Sequence, residues 1–222
     1  VCGYAPRDFL EFTGFIDQSY AAIDIIKQHA DTIGVLIGAP DRNPVREGKD
    51  LFNAAFLLYE KEIKGIAHKT CLPNYDVFDE YRYFEPAYEW NVLEFKGKRL
   101  AVTICEDIWN LGDNPLYRYC PMDELMKQQP DLMINLSASP FDYTHDEDRK
   151  ATIKSNVTKY KLPMFYCNAT GSQTEIVFDG ASLVFDAAAN LCGQLPMFEE
   201  ALQSFIVYDD GTIDAPVIEA AD

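Results

Sequence analysis

The chain alternates between helical and strand periodicities. Between Phe15 and Asp31, apolar residues fall at Ile16, Tyr20, Ile23, Ile26 and Ala30, which predicts an amphipathic helix with one buried stripe. Gly34–Pro40 reads as a short strand and Asp41–Asp50 as a polar loop. Asn53–Tyr59 and Ile63–His68 form a predicted hairpin about a charged Glu-Lys-Glu turn, and Trp90–Phe95 with Arg99–Ile104 form another about Lys96-Gly97-Lys98. Leu100–Ile104 is an unbroken apolar run, the mark of a strand buried on both faces. Gly3–Phe12 reads as a loop or ragged helix start, and Asp76–Phe84 and Met122–Gln129 as short helices.

Asp131–Leu136 is the next buried strand. Thr144-His-Asp-Glu147 has capping-box spacing and opens a helix whose Ile153, Val157 and Tyr160 share one face. Met164–Asn168, Ile176–Phe178, Ala181–Phe185 and Ser204–Tyr208 supply further strands, with no internal repeat. Strands alternate with helices early and hairpins dominate late, which gives an α/β layered domain with a mixed sheet or a pair of sheets.

Composition narrows the class of molecule. The 222 residues are 48% hydrophobic and 25% charged, as in an ordinary globular protein. A formal charge of −17, without any basic stripe, argues against a nucleic-acid partner. Neither a membrane span nor a secretion signal is visible. The six cysteines (2, 71, 105, 120, 167 and 192) lack zinc or disulfide-framework spacing, so no metal site and a cytoplasmic enzyme with reduced thiols are expected. The chain opens on Val1 rather than Met, and upstream sequence is expected.

Three strand ends carry reactive groups: Lys69, Cys105 with Glu106, and the Asn135–Pro140 turn. In layered α/β folds the crevice beyond strand ends is where reacting groups are placed. A buried structural cysteine is the plain alternative for Cys105, and a solvated strand-end lysine for Lys69. A Cys–His dyad has few candidates: His29 falls on the predicted surface helix, His68 and Lys69 must point to opposite strand faces, and His145 remains. A protonated Lys69 beside Cys105 would instead favour the thiolate and hold an oxyanion, leaving proton transfer to a carboxylate such as Glu80 or Glu106.

Cys105-Glu-Asp-Ile-Trp109 after a buried strand, with the Lys69-Thr-Cys-Leu-Pro73 segment upstream, resembles the nitrilase (carbon–nitrogen hydrolase) superfamily. That resemblance implies a four-layer α-β-β-α sandwich and a Glu-Lys-Cys triad. It makes Cys105 the nucleophile, Lys69 the triad lysine and Glu80 the additional glutamate near it. Lys69–Phe84 and Asn168–Gly180 further resemble the amidase part of glutamine-dependent NAD synthetases, which releases ammonia from glutamine. By the same resemblance Tyr75, Glu106, Ser137 and Ser139 line the substrate pocket, and His145 falls near a position where some relatives carry a basic residue. Asn190 stands in the Asp186–Leu191 turn where relatives often have glycine, and asparagine tolerates the left-handed conformation.

The triad glutamate of the family lies in a Pro-Glu-Leu segment before the match to Gly3-Tyr4. It is therefore expected upstream of Val1, together with an N-terminal strand and helix. Residues 1–208 are assigned to the amidase domain and 209–222 to an extension or linker toward a fused synthetase domain. ATP and magnesium are expected only in that further domain, and a homo-oligomer is expected by resemblance. Two rival readings stay open. One is a stand-alone amidase acting on ω-amides or carbamoyl amino acids; the other is a catalytically incomplete scaffold.

Overall fold

A computed structural model describes residues 1–111 and 116–214, leaving out the side chain of residue 145. The chain divides into two compact units, Val1–Pro130 and the part from Asp131 onward.

The first unit is built on a helix, α1 (Thr13–His29), and a three-stranded antiparallel sheet of β1 (Val35–Arg42), β2 (Leu51–Tyr59) and β3 (Glu62–His68), in the order β1-β2-β3. Alternation along β2 sends Ala54, Phe56 and Leu58 toward α1, where they close over Ile23 and Ala30. The opposite face meets a hairpin of β4 (Leu93–Phe95) and β5 (Lys98–Ile104). Gly65, the partner of Leu57, permits that approach, because a Cβ there would sit 2.8 Å from a Leu93 methyl. The run Leu100–Ile104 is buried throughout, as its composition predicts. Both hairpins turn on left-handed residues: Glu60 and Lys61 in one, Lys96 and Gly97 in the other. Two short helices complete the unit, α2 (Glu80–Tyr83) and α3 (Pro121–Met126). The ragged start resolves into a 3-10 helix over Arg7–Glu11.

In the second unit β6 (Leu132–Ser137) pairs in parallel with β7 (Met164–Asn168), and α4 (His145–Tyr160) makes the crossover. A hairpin of β8 (Thr170–Gln173) and β9 (Ile176–Asp179) follows. Then β10 (Leu183–Phe185) pairs antiparallel with both β7 and β11 (Leu191–Gln194). A last hairpin joins β12 (Ile206–Val207) to β13 (Ile213–Asp214). Residues 209–214 thus belong to this hairpin, and the rest of the expected linker, 215–222, lies outside the described residues.

Ile153 and Val157 of α4 are fully buried and Tyr160 nearly so, as their spacing predicts. Two local expectations are corrected. Thr144 precedes α4 but does not cap it; its hydroxyl and its N–H both donate to Asp142 Oδ1. Its backbone is already helical, a conformation that does not aim the hydroxyl at the first-turn N–H groups. In the Asp186–Leu191 turn the left-handed residue is Ala189; Asn190 instead donates its backbone and side-chain N–H groups to Asp186. Among the described residues no helix is long and apolar enough to cross a membrane.

Candidate active site

Strand geometry sorts the neighbours His68 and Lys69. His68 pairs with Ala54 and shares its face: it stacks on Phe52, with centroids 4.2 Å apart, and its Nε2 lies 2.8 Å from Asp41. Lys69 leaves the strand on the other side and is only 1% exposed. Its backbone is tied down from both directions, the N–H donating to Asn53 and the carbonyl accepting from Ala87.

A charge so deeply buried needs a partner. Lys69 Nζ donates to Glu80 Oε1 at 2.7 Å, and Glu80 is 4% exposed. Two more donors converge on this carboxylate, the Tyr4 hydroxyl on Oε1 at 2.6 Å and Asn53 Nδ2 on Oε2 at 3.3 Å. The first turn of α2 presents Glu80, whose N–H donates to the Pro73 carbonyl. Burial alone would pull the lysine toward neutrality; Glu80 and the charge on Cys105 outweigh it and hold Lys69 above the ordinary lysine range. Lys69 is therefore an ammonium at any neutral pH. It can stabilise an anion and cannot act as a base.

Cys105 stands where β5 ends, half-buried, at the head of a 3-10 turn over Cys105–Ile108. Its φ of +44° is left-handed, an uncommon state for a residue with a Cβ and one concentrated at functional sites. Glu106, next along, accepts from the Tyr75 hydroxyl at 2.8 Å. Burial pushes Glu106 upward, while Tyr75 and Lys69 pull it back.

The second acid of the turn is the one that sequence reasoning missed. Asp107, 2% exposed, accepts Thr70 N–H at 3.0 Å and Cys71 N–H at 2.8 Å on Oδ1, and Ile104 N–H at 3.0 Å on Oδ2. Burial raises it to about 6 against these bonds and the pull of Lys69. Only its place two residues after Cys105 could have singled it out.

The expected site residues divide between the units. Lys69, Tyr75, Glu80, Cys105 and Glu106 come together in the first. Ser137, Ser139 and His145 belong to the second. There the Ser137 hydroxyl accepts from Tyr166, and Ser139 is buried with its N–H on Asn168. The His145 side chain lies outside the described residues. The same unit holds a buried pair without a sequence signal, Arg149 donating to both oxygens of Asp179 at 3.0 Å. Of the other histidines, His29 lies at the exposed end of α1 and His68 is turned onto Asp41. No group of three His, Cys, Asp or Glu side chains that could hold a metal occurs among the described residues.

The carbon-nitrogen hydrolase model matches residues 1–214. The chain belongs to the carbon–nitrogen hydrolase family. A glutamine-dependent NAD(+) synthetase of Synechocystis is 33% identical over 94% of this chain and 38% of the relative. A glutamine-dependent NAD(+) synthetase of Thermotoga maritima is 36% identical over 90% of this chain and 33% of its own length. The solved structure of the glutamine-dependent NAD+ synthetase of Acinetobacter baumannii superposes with a TM-score of 0.83 at 27% identity, covering 99% of this chain and 39% of that one. This carbon–nitrogen hydrolase chain thus has a nitrilase-like mixed α/β fold and spans about a third of the length of the curated relatives it matches.

Proposed function

We propose that this chain is the glutamine-hydrolysing part of a glutamine-dependent NAD synthetase, releasing ammonia for a synthetase domain in the same polypeptide. The observation that carries the reading is the buried Lys69–Glu80 ion pair beside a left-handed Cys105. Burying such a pair costs desolvation energy that apolar side chains would avoid, so a functional reason for keeping it is favoured over a scaffold role. The neighbours named as glutamine-dependent NAD synthetases favour glutamine over other amides.

In this reading the Cys105 thiolate attacks the side-chain amide carbon of glutamine, and the oxyanion sits between the Lys69 ammonium and the Glu106 N–H. The amide nitrogen takes up a proton and leaves as ammonia, and water then hydrolyses the γ-glutamyl thioester to glutamate. We assign proton transfer to a carboxylate ahead of Val1, since Glu80 is committed to Lys69 and Glu106 to Tyr75. Glu80 is a positioning residue, while Tyr75 and Glu106 are assigned to the amino-acid end of glutamine. The ammonia would amidate deamido-NAD in the further domain, where ATP and magnesium would supply the activation. Residues 1–214, through the β12–β13 hairpin, form the amidase domain and the remainder leads toward the synthetase, in a cytoplasmic homo-oligomer.

The test is ammonia release from glutamine by the full-length polypeptide. Cys105→Ala should abolish it while synthesis from added ammonium persists; glutamine hydrolysis by that variant would reject the reading.

A further inference from the structure

We infer that Asp107 is a positioning residue: its carboxylate fixes Lys69 and Cys105 relative to one another by gathering backbone N–H groups from both of their chain segments. The inference rests on the proposed role of Cys105 as nucleophile.

The two side chains lie 36 residues apart in sequence, just beyond the ends of different strands. Between Lys69 and Pro73 the chain has left β3 and joins no ladder, so the N–H groups of Thr70 and Cys71 need an acceptor from elsewhere. Asp107 Oδ1 takes both. Its other oxygen takes the N–H of Ile104, the residue before Cys105. One rigid carboxylate therefore binds the residue after Lys69 and the residue before Cys105. The 3-10 turn folds Asp107 back over its own strand end, and that same turn begins with the left-handed φ at Cys105. Side-chain placement at both positions thus depends on one group that has no access to substrate.

Charge and position make opposite predictions here. Asp107 is an anion close enough to Lys69 to strengthen its hold on a proton. Removing that anion would, on electrostatics alone, leave Lys69 freer to favour the Cys105 thiolate and speed its alkylation. A positioning role predicts slower reaction even where the thiol is fully ionised.

Asp107→Asn distinguishes the two, because the amide keeps the shape but presents N–H to one side of the clamp. In the full-length polypeptide, iodoacetamide labelling of Cys105 is followed by peptide mass spectrometry across pH, alongside glutaminase kinetics. The expected result is a drop of about 100-fold in kcat, the scale of a misplacement near 1 Å, with KM for glutamine little changed. The limiting alkylation rate at high pH should fall severalfold. An unchanged kcat, or faster alkylation at low pH with the limiting rate intact, overturns the inference. Should the variant not fold, amide exchange in the native protein decides: Thr70, Cys71 and Ile104 N–H must be strongly protected, and rapid exchange at Thr70 and Cys71 refutes the clamp. Alkylation and exchange do not need turnover, so a polypeptide that releases no ammonia rejects the glutaminase reading without touching these results.

Discussion

Tyr4 and Lys69 meet on a single oxygen, Glu80 Oε1, one donating from 2.6 Å and the other from 2.7 Å. The glutamate is thereby fixed by the N-terminal segment and the end of β3 together. Glu80→Gln leaves an uncompensated ammonium in a dry site and should cost about 3–5 kcal/mol of stability at neutral pH. The pH slope should also reverse. In the wild type Lys69 is raised, so its contribution is complete below the unfolded value of about 10.4 and is lost only as pH climbs beyond it. In the variant burial faces only the weaker pull of Cys105 and Asp107 and lowers Lys69, so stability should climb between about pH 8 and 10. Denaturant titrations of both proteins at these pH values check the sign.

The left-handed backbone at Cys105 predicts an inverted substitution order. Alanine is ordinarily the safe replacement, yet here its Cβ inherits the strain. Cys105→Gly should be more stable than Cys105→Ala by about 1 kcal/mol, although both lack the thiol. Thermal unfolding of the two variants is the measurement.

Asp107 titrates near 6 in the fold, above the ordinary 3.8 of an aspartate. Its folded value is raised, so the folded state binds the extra proton and gains stability from this group as pH falls from 7 toward 4. Two pKa units correspond to about 3 kcal/mol. Asp107→Asn has no such titration, so the stability difference between wild type and variant should shift toward the wild type by about that amount on acidification. A pH-independent difference would contradict the raised value.

In the second unit, Arg149 and Asp179 are 0% and 1% exposed and hydrogen-bonded in both directions of the fork. Arg149→Met or Asp179→Leu alone should each cost about 3–5 kcal/mol by stranding the partner's charge. The double variant should recover most of that loss. Strict additivity in a double-mutant cycle would show that the pair does not act as a unit.

What could be read from the sequence was whatever repeats at a fixed period. The stripe of α1, the β2–β3 hairpin and the buried run of β5 emerge close to their predicted bounds because burial selects every second or every third to fourth residue. Lys69 opposite His68 followed from strand alternation alone. Hidden features depend on contacts between distant residues. Arg149 is one cation among the many charges of α4, and only Asp179, 30 residues on, distinguishes it. Asp107 gathers N–H groups from 36 and 37 residues earlier in the chain. Thr144 had the right spacing for a cap, but its backbone is helical and does not aim the hydroxyl oxygen at the first-turn N–H groups. The strain at Cys105 carries no glycine to announce it.

Leu100 to Asp107 holds the buried strand, the proposed nucleophile, its neighbour and the carboxylate that gathers three N–H groups, without a spare residue. A deletion or insertion of one amino acid there would exchange the two faces of β5 and slide Asp107 off its three donors at once. Length variation is thus barred from this octapeptide, whereas the exposed connection over residues 43–50 can lengthen or shorten without disturbing any of these groups.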